Sequence, residues 1–156
     1  MTITTSPLTL TINGKQVGPM DVPDALMMVD FLHEYLGLTG SRFGCGIGVC
    51  HACTVLLDGP GGVEEIRTCI TGAHYFNGKR IRTIEGLAER DDQQKIIAIT
   101  PVQQAYLDHY SFQCGYCTPG FVIGATALME RLKAHPVRAD QLEDTITEHL
   151  GRHICR

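Results

Sequence analysis

The sequence predicts an α+β protein in which a small sheet is followed by a bundle of helices. Alternating apolar and polar residues with turn signals dominate up to residue 84, and apolar residues at helical spacing dominate after residue 100. A polar, charged stretch at 86–94 separates the two and is predicted as a linker. Strands first and helices second indicate an α+β chain. We therefore expect one domain over residues 1–86 and an all-α domain over residues 87–156.

The first domain is predicted to open with a hairpin and a helix. Residues 8–12 alternate between apolar and polar, Asn13-Gly14 is a strong hairpin signal, and residues 15–22 return as the second strand. Asp24 is the predicted N-cap of a helix whose apolar residues recur at helical spacing and which ends at Gly37. Three later stretches have strand character: 53–57, 63–68 and 79–84. Together these elements suit a β-grasp sheet around a cysteine-rich loop.

The second domain is predicted to hold three helices. Thr100-Pro101 supplies an N-cap and a proline at the first helical position, and residues 102–110 follow as the helix. Thr118-Pro119 repeats this arrangement before a more apolar helix. Asp140 and Glu143 have the spacing of a capping box for the third helix.

Composition excludes several classes of protein. The formal net charge of −4 over 156 residues is the opposite of the basic surface that nucleic acids require. No apolar run approaches the roughly 20 residues of a membrane span, so direct membrane insertion is not expected. Residues 1–7 are polar and lack a signal-peptide core, so no export signal is expected. Seven cysteines, an odd number, argue against a complete disulfide framework and for metal ligation.

The first cysteine set has the spacing of a known metal site. Cys45, Cys50 and Cys53 are separated by four and then two residues, and Cys69 follows at a distance. This is the plant-type ferredoxin pattern for a [2Fe–2S] cluster. Glycines at positions 44, 46 and 48 let the backbone turn tightly around the sulfur atoms. The first domain is therefore predicted to be ferredoxin-like.

The second cysteine set is less informative by itself. Cys114 and Cys117 lie in a turn between two predicted helices, and Cys155 follows the third. Loops at one end of a helical bundle bring such residues together, but a cluster needs four ligands and only three are present. A redox dithiol is one alternative, although a helix rather than a buried strand precedes this motif. A zinc site made of Cys50, Cys53, Cys114 and Cys117 is another, but it leaves three cysteines without a role.

Five stretches resemble the iron–sulfur subunit of the xanthine oxidase family of molybdenum hydroxylases: 30–40, 43–46, 52–59, 101–106 and 113–121. The resemblance covers nearly the whole chain and includes both cysteine motifs. It implies a ferredoxin-like domain and a helical-bundle domain with one [2Fe–2S] cluster each. Cys114, Cys117 and Cys155 become ligands of the second cluster. The family's last ligand pair reads Cys-Arg-Cys, so the fourth ligand is expected directly after Arg156, and the helical domain is expected to continue.

The resemblance also implies partners and a role. A separate large subunit would hold a molybdopterin cofactor and oxidise an aldehyde or an N-heterocycle, and this chain would relay its electrons to an external acceptor. A flavin or cytochrome c subunit is a further expected partner. Gln113, directly before Cys114, is the expected contact with the pterin. The cytoplasm is the default compartment, and the periplasm or a membrane surface applies if a partner exports or anchors the complex.

His51 departs from the family, which commonly has glycine there. Its simplest interpretation is a surface histidine that the loop tolerates, and the alternative is that its ring or charge tunes the first cluster. Five other histidines, at positions 74, 109, 135, 149 and 153, lack metal-ligand spacing and are expected on the surface or in packing. Two rival functions stay open. One is a stand-alone ferredoxin-type carrier or cluster-based sensor, and the other is a zinc-stabilised interaction module.

Overall fold

Strands and helices follow one another in the predicted order in the computed structural model, which describes residues 3–155. The expected match at Cys155-Arg156 therefore lies partly outside the described residues. The strands are β1 (Thr5–Ile12), β2 (Lys15–Pro23), β3 (Thr54–Gly59), β4 (Gly62–Arg67), β5 (Arg80–Arg82), β6 (Glu89–Arg90) and β7 (Ile96–Ala98). The helices are α1 (Met28–Asp30), which continues as a π-helix over Phe31–Tyr35, α2 (Pro101–Asp108), α3 (Thr118–Ala134) and α4 (Leu142–Leu150).

Five strands form one mixed sheet in the order β2-β1-β5-β3-β4. Strands β1 and β5 are parallel, and the other neighbours are antiparallel. The hairpin at Asn13-Gly14 is confirmed, and both residues adopt positive φ angles, 51° and 79°, as a tight two-residue turn requires. The α+β class is thus confirmed, while the division into two domains stays a prediction.

The first helix begins three residues later than predicted, with Met27 and not Asp24 at its N-cap. Asp24 does not cap it, because Asp24 and Ala25 form a turn, and the residues after this turn are held by backbone hydrogen bonds to a distant segment. Met28 N–H donates to the Thr71 carbonyl (2.9 Å), and Ala73 N–H donates to the Leu26 carbonyl (2.8 Å). These tertiary bonds satisfy groups that a longer helix would have used itself. The predicted end is confirmed, because Gly37 has φ +65° and donates to the His33 carbonyl.

The predicted linker contains structure of its own. Strand β6 lies within it and pairs with β7 as a separate two-stranded ribbon. The predicted capping box at the third helix is wrong. Asp140 pairs with Arg138 instead, and Gln141 occupies the N-cap of α4 without a side-chain bond.

Helix α3 connects the second half of the chain to the sheet. Its residues Val122, Ile123 and Ala127 are buried together with Leu56 of β3. On the other face of the sheet, α1 and its π-helical continuation cover the main core. No helix among residues 3–155 has the length and apolar character that crossing a membrane requires.

Candidate metal centres

The sheet places the two buried cysteines of the first set side by side. Cys53 directly precedes β3 and Cys69 follows β4 after one residue, and these strands pair with Thr54 opposite Arg67. The backbone N–H of Cys69 donates to the Cys53 sulfur at 3.4 Å. Burial and the neighbouring Cys53 side chain raise the pKa of the Cys69 thiol to about 12. Such a thiol gives up its proton readily only when a cation binds beside it.

Cys45 and Cys50 form a second pair within the loop. Their side chains are in hydrogen-bonding contact, and both are half-buried. Burial acts to raise the pKa of Cys45, but amides of Cys50, Ile47 and Val49 outweigh it and lower the pKa to about 6. Burial raises the pKa of Cys50. A Cβ on Gly44 would lie 3.0 Å from the Cys50 sulfur, so the loop folds tightly around this pair.

The second cysteine set also converges. Burial raises the pKa of Cys117, and the Cys155 side chain and then the nearby Cys114 contribute in the same direction. All three line a cavity of about 320 Å³, and Gln113 lies at its exposed edge. The structure therefore brings together the seven cysteines as the sequence grouped them, four in one site and three in the other. No disulfide joins any two of them, and all seven lie within the described residues.

Cysteines of both sites line one cavity of about 620 Å³. Its lining includes Cys45 and Cys50 of the first set and Cys114, Cys117 and Cys155 of the second. Two hydrogen bonds tie the cysteine loops together beside it. Tyr116 O–H donates to the Phe43 carbonyl at 2.6 Å, and Ile154 N–H donates to the Cys50 carbonyl at 3.1 Å. The sequence contains no signal for this arrangement.

The paired cysteines suit a binuclear cluster better than a single ion. Among residues 3–155, no three His, Cys, Asp or Glu side chains converge closely enough to hold one metal ion. A [2Fe–2S] cluster distributes its four thiolates over two irons. The pairs Cys45–Cys50 and Cys53–Cys69 match that requirement. A zinc site would combine Cys53 and Cys117, which contact different partners, Cys69 and Cys155.

A group of histidines, arginines and one glutamate lies between α3, α4 and the first cysteine loop. Arg131 and the His149 ring both reach the Glu65 carboxylate, at 3.0 and 3.1 Å. The His153 ring is buried, and burial, with His51 and His149 nearby, lowers its pKa to about 4. Burial, followed by the charge of Arg67, lowers the pKa of His51. His51 is half-buried, and its role in tuning the first cluster stays a prediction, whereas His149 and His153 are packing residues as expected.

Comparison with known proteins identifies relatives along almost the entire chain. Residues 83–156 match the family described as "[2Fe-2S] binding domain". One component of nicotinate dehydrogenase from Pseudomonas putida is 34% identical over 149 residues, which are 96% of this chain and 84% of the relative. The aldehyde oxidoreductase iron-sulfur-binding subunit of Escherichia coli is 36% identical over 160 residues. This chain spans 65% of the length of that relative.

A solved structure has the same fold. Quinoline 2-oxidoreductase from Pseudomonas putida 86 superimposes with a TM-score of 0.79 at 32% sequence identity. The superposition covers 97% of this chain and 83% of the matched one.

Proposed function

The chain belongs to the iron–sulfur subunits of the xanthine dehydrogenase and aldehyde oxidoreductase family of molybdenum hydroxylases, and we propose that it carries two [2Fe–2S] clusters as an electron relay. The relay would run from a large molybdopterin-containing subunit, which oxidises an aldehyde or an N-heterocycle, to an external acceptor. A flavin or cytochrome c subunit would be that acceptor. In this role the chain itself would bind no substrate.

Cys45, Cys50, Cys53 and Cys69 would hold the first cluster. Cys114, Cys117 and Cys155 would supply three ligands of the second. Each cluster, when bound, takes up and returns one electron. The chain's own contribution is a set of thiolates held in pairs and amides that donate to them, such as Ile47 N–H to the Cys45 sulfur at 3.5 Å. Amides near the sulfurs stabilise the negative charge of the reduced state.

The single observation that supports the relay most directly is the cavity that the two sites share. Cysteines of both sets line it, so the two sites border the same space. Hydrogen bonds from Tyr116 and Ile154 join the two cysteine loops beside it. An arrangement of this kind suits transfer between two cofactors on one chain.

Gln113 would face the partner's pterin. Its side chain is exposed and it lies directly before Cys114, at the edge of the cavity that holds the second cysteine set. An amide there is available to a group on another polypeptide, and it can both donate and accept hydrogen bonds.

Purification of the tagged chain from its native source tests the proposal. We expect a large subunit containing molybdenum to co-purify, and we expect the visible absorption of the chain to bleach when the substrate of that subunit is added. A matched Cys117→Ala variant should co-purify with the large subunit, but its visible absorption should decrease far less when the substrate is added. A chain that purifies alone, with iron but without molybdenum, would favour the stand-alone carrier. A colourless chain would contradict the proposal.

A further inference from the structure

The His51 ring contacts the ring of His153, which follows 102 residues later in the chain. The ring centroids are 4.9 Å apart and the planes meet at 62°, an edge-to-face arrangement. His51 directly follows Cys50, and His153 lies two residues before Cys155. The ring pair therefore joins a residue next to one cysteine of the first set to a residue close to one cysteine of the second set.

Two glycines of helix α3 lie against the two histidines. A Cβ on Gly120 would clash with the His51 carbonyl oxygen, and a Cβ on Gly124 would lie 2.5 Å from His153 Nε2. These glycines are four residues apart and share one face of the helix. Phe121 adds a third ring, with its centroid 4.8 Å from that of His153. Gly124 thus lets the helix approach the His153 ring, and Gly120 lets it approach the backbone of His51.

Arg67 lies beside the His51 ring. An Arg67 guanidinium nitrogen lies 3.4 Å from His51 Nε2, and because a guanidinium carries only donors, this ring nitrogen is the acceptor. The His51 backbone has φ +61°, a left-handed conformation that is uncommon for a residue with a side chain. His51 therefore adopts an uncommon backbone conformation in the same structure in which its ring contacts His153 and Arg67.

We propose that His51 and His153 are positioning residues whose stacked rings hold the Cys155 loop against the Cys50 loop. The inference rests on the proposed function, because it assigns the ring pair to the spacing of the two cluster sites. The hydrogen bond from Ile154 N–H to the Cys50 carbonyl, 3.1 Å, is the backbone contact that the ring pair protects. Loss of the His51 ring should therefore loosen the loop that carries Cys155.

Two substitutions at one position separate the ring from the backbone. His51→Gly removes the ring and suits the left-handed backbone, so this variant should fold. His51→Phe keeps a ring of similar shape and lacks the ring nitrogens. His109→Gly, at an exposed position in the turn after α2, is the control for loss of a histidine elsewhere.

Amide hydrogen exchange at Ile154 is the first readout, in the complex with its partner subunits. We expect exchange in His51→Gly to be about tenfold faster than in wild type, because a ring pair of this kind is worth roughly that factor. His51→Phe and His109→Gly should exchange at the wild-type rate. The magnetic interaction between the two reduced clusters, measured by electron paramagnetic resonance, should change in His51→Gly and not in the other variants.

The outcomes separate this inference from the proposed function. A wild-type complex without iron would overturn the proposed function whatever the exchange rates are. A wild-type complex with iron in both sites, in which His51→Gly exchanges within about twofold of wild type, would overturn only the positioning role. The positioning role would also be overturned if the Ile154 amide exchanged as fast in His51→Phe as in His51→Gly.

Discussion

At the scale of single residues, Gly120 shows most clearly how the helical half of the chain depends on the first cysteine loop. An added Cβ would clash with the His51 carbonyl oxygen and would lie 2.9 Å from the Ala52 Cα. Both are backbone atoms, which cannot rotate away as a side chain does. Helix α3 can therefore lie in its place only because this residue has no side chain.

Gly120→Ala is expected to lower the free energy of unfolding by about 1–3 kcal/mol, since the helix must shift away from the loop. Gly61→Ala is the matched control, because a Cβ at that turn position meets nothing within 4 Å. Chemical denaturation of the cluster-loaded chain measures both. Equal stability of the two variants would show that α3 does not rest on the loop as described.

The grouping of the cysteines could be predicted from the sequence and the histidine pair could not. Spacing of four and two residues is set by the local wrapping of a loop around a cluster, so it is readable in a short stretch. His51 and His153 meet only because α3 carries the end of the chain back to the first loop. No local pattern records such a contact.

At the scale of elements, α2 and α3 begin differently although their sequences look alike. Thr100 caps α2, because its hydroxyl accepts from Gln103 N–H at 3.2 Å and the Gln103 side chain accepts from Thr100 N–H at 2.9 Å. Thr118 was predicted to do the same for α3 and does not. Cys117 occupies that N-cap, without a side-chain bond, because the helix already begins at Thr118.

Thr100→Ala should therefore destabilise the first turn of α2 by about 1 kcal/mol, as loss of an N-cap usually does. Thr118→Ala should change the start of α3 much less. Hydrogen exchange of the amides at 102–104 and 120–122 compares the two directly. An equal effect of both substitutions would contradict the difference in capping.

Strand β5 is joined to α3 by an ion pair. Arg82 donates to both carboxylate oxygens of Glu130, at 2.7 and 2.9 Å, and to Asp58 on β3 at 2.9 Å. The hydrogen bonds from Arg82 outweigh burial and hold the pKa of Glu130 below its usual 4.5. The folded protein therefore binds fewer protons at Glu130 than the unfolded chain does. This stabilisation is complete above the unfolded pKa and is lost as the pH falls through the lower folded pKa.

Glu130→Gln is expected to lower the free energy of unfolding by about 1 kcal/mol at pH 7, a modest value because the carboxylate is 36% exposed. The difference from wild type should shrink below about pH 4.5, where the Glu130 carboxylate of the unfolded chain takes up protons that the folded protein does not yet bind. Denaturation at pH 7 and at pH 4 measures this difference, and acid loss of the clusters is common to both proteins. Exposed Glu64→Gln is the control. A pH-independent difference would contradict the role of the carboxylate charge.

At the scale of the whole molecule, β3 is shared between two packing layers. Val55 and Leu57 lie in the main core with α1, and Leu56 faces the opposite way against α3. The alternation of strand side chains thus connects both halves of the chain. The periodicity of the sequence predicted the two halves. It did not show that β3 packs against both, because a run of apolar residues has the same pattern whichever layer covers it.

This organisation brings cysteines of both sets to the lining of one cavity, and the proposed relay depends on it. Iron and acid-labile sulfide per chain, measured in the intact complex, test it most directly. We predict four irons and four sulfides in wild type, and two of each in either Cys50→Ala or Cys117→Ala, with a different cluster signal surviving in each variant. Zinc in place of iron, or an unchanged iron content in either variant, would contradict the account.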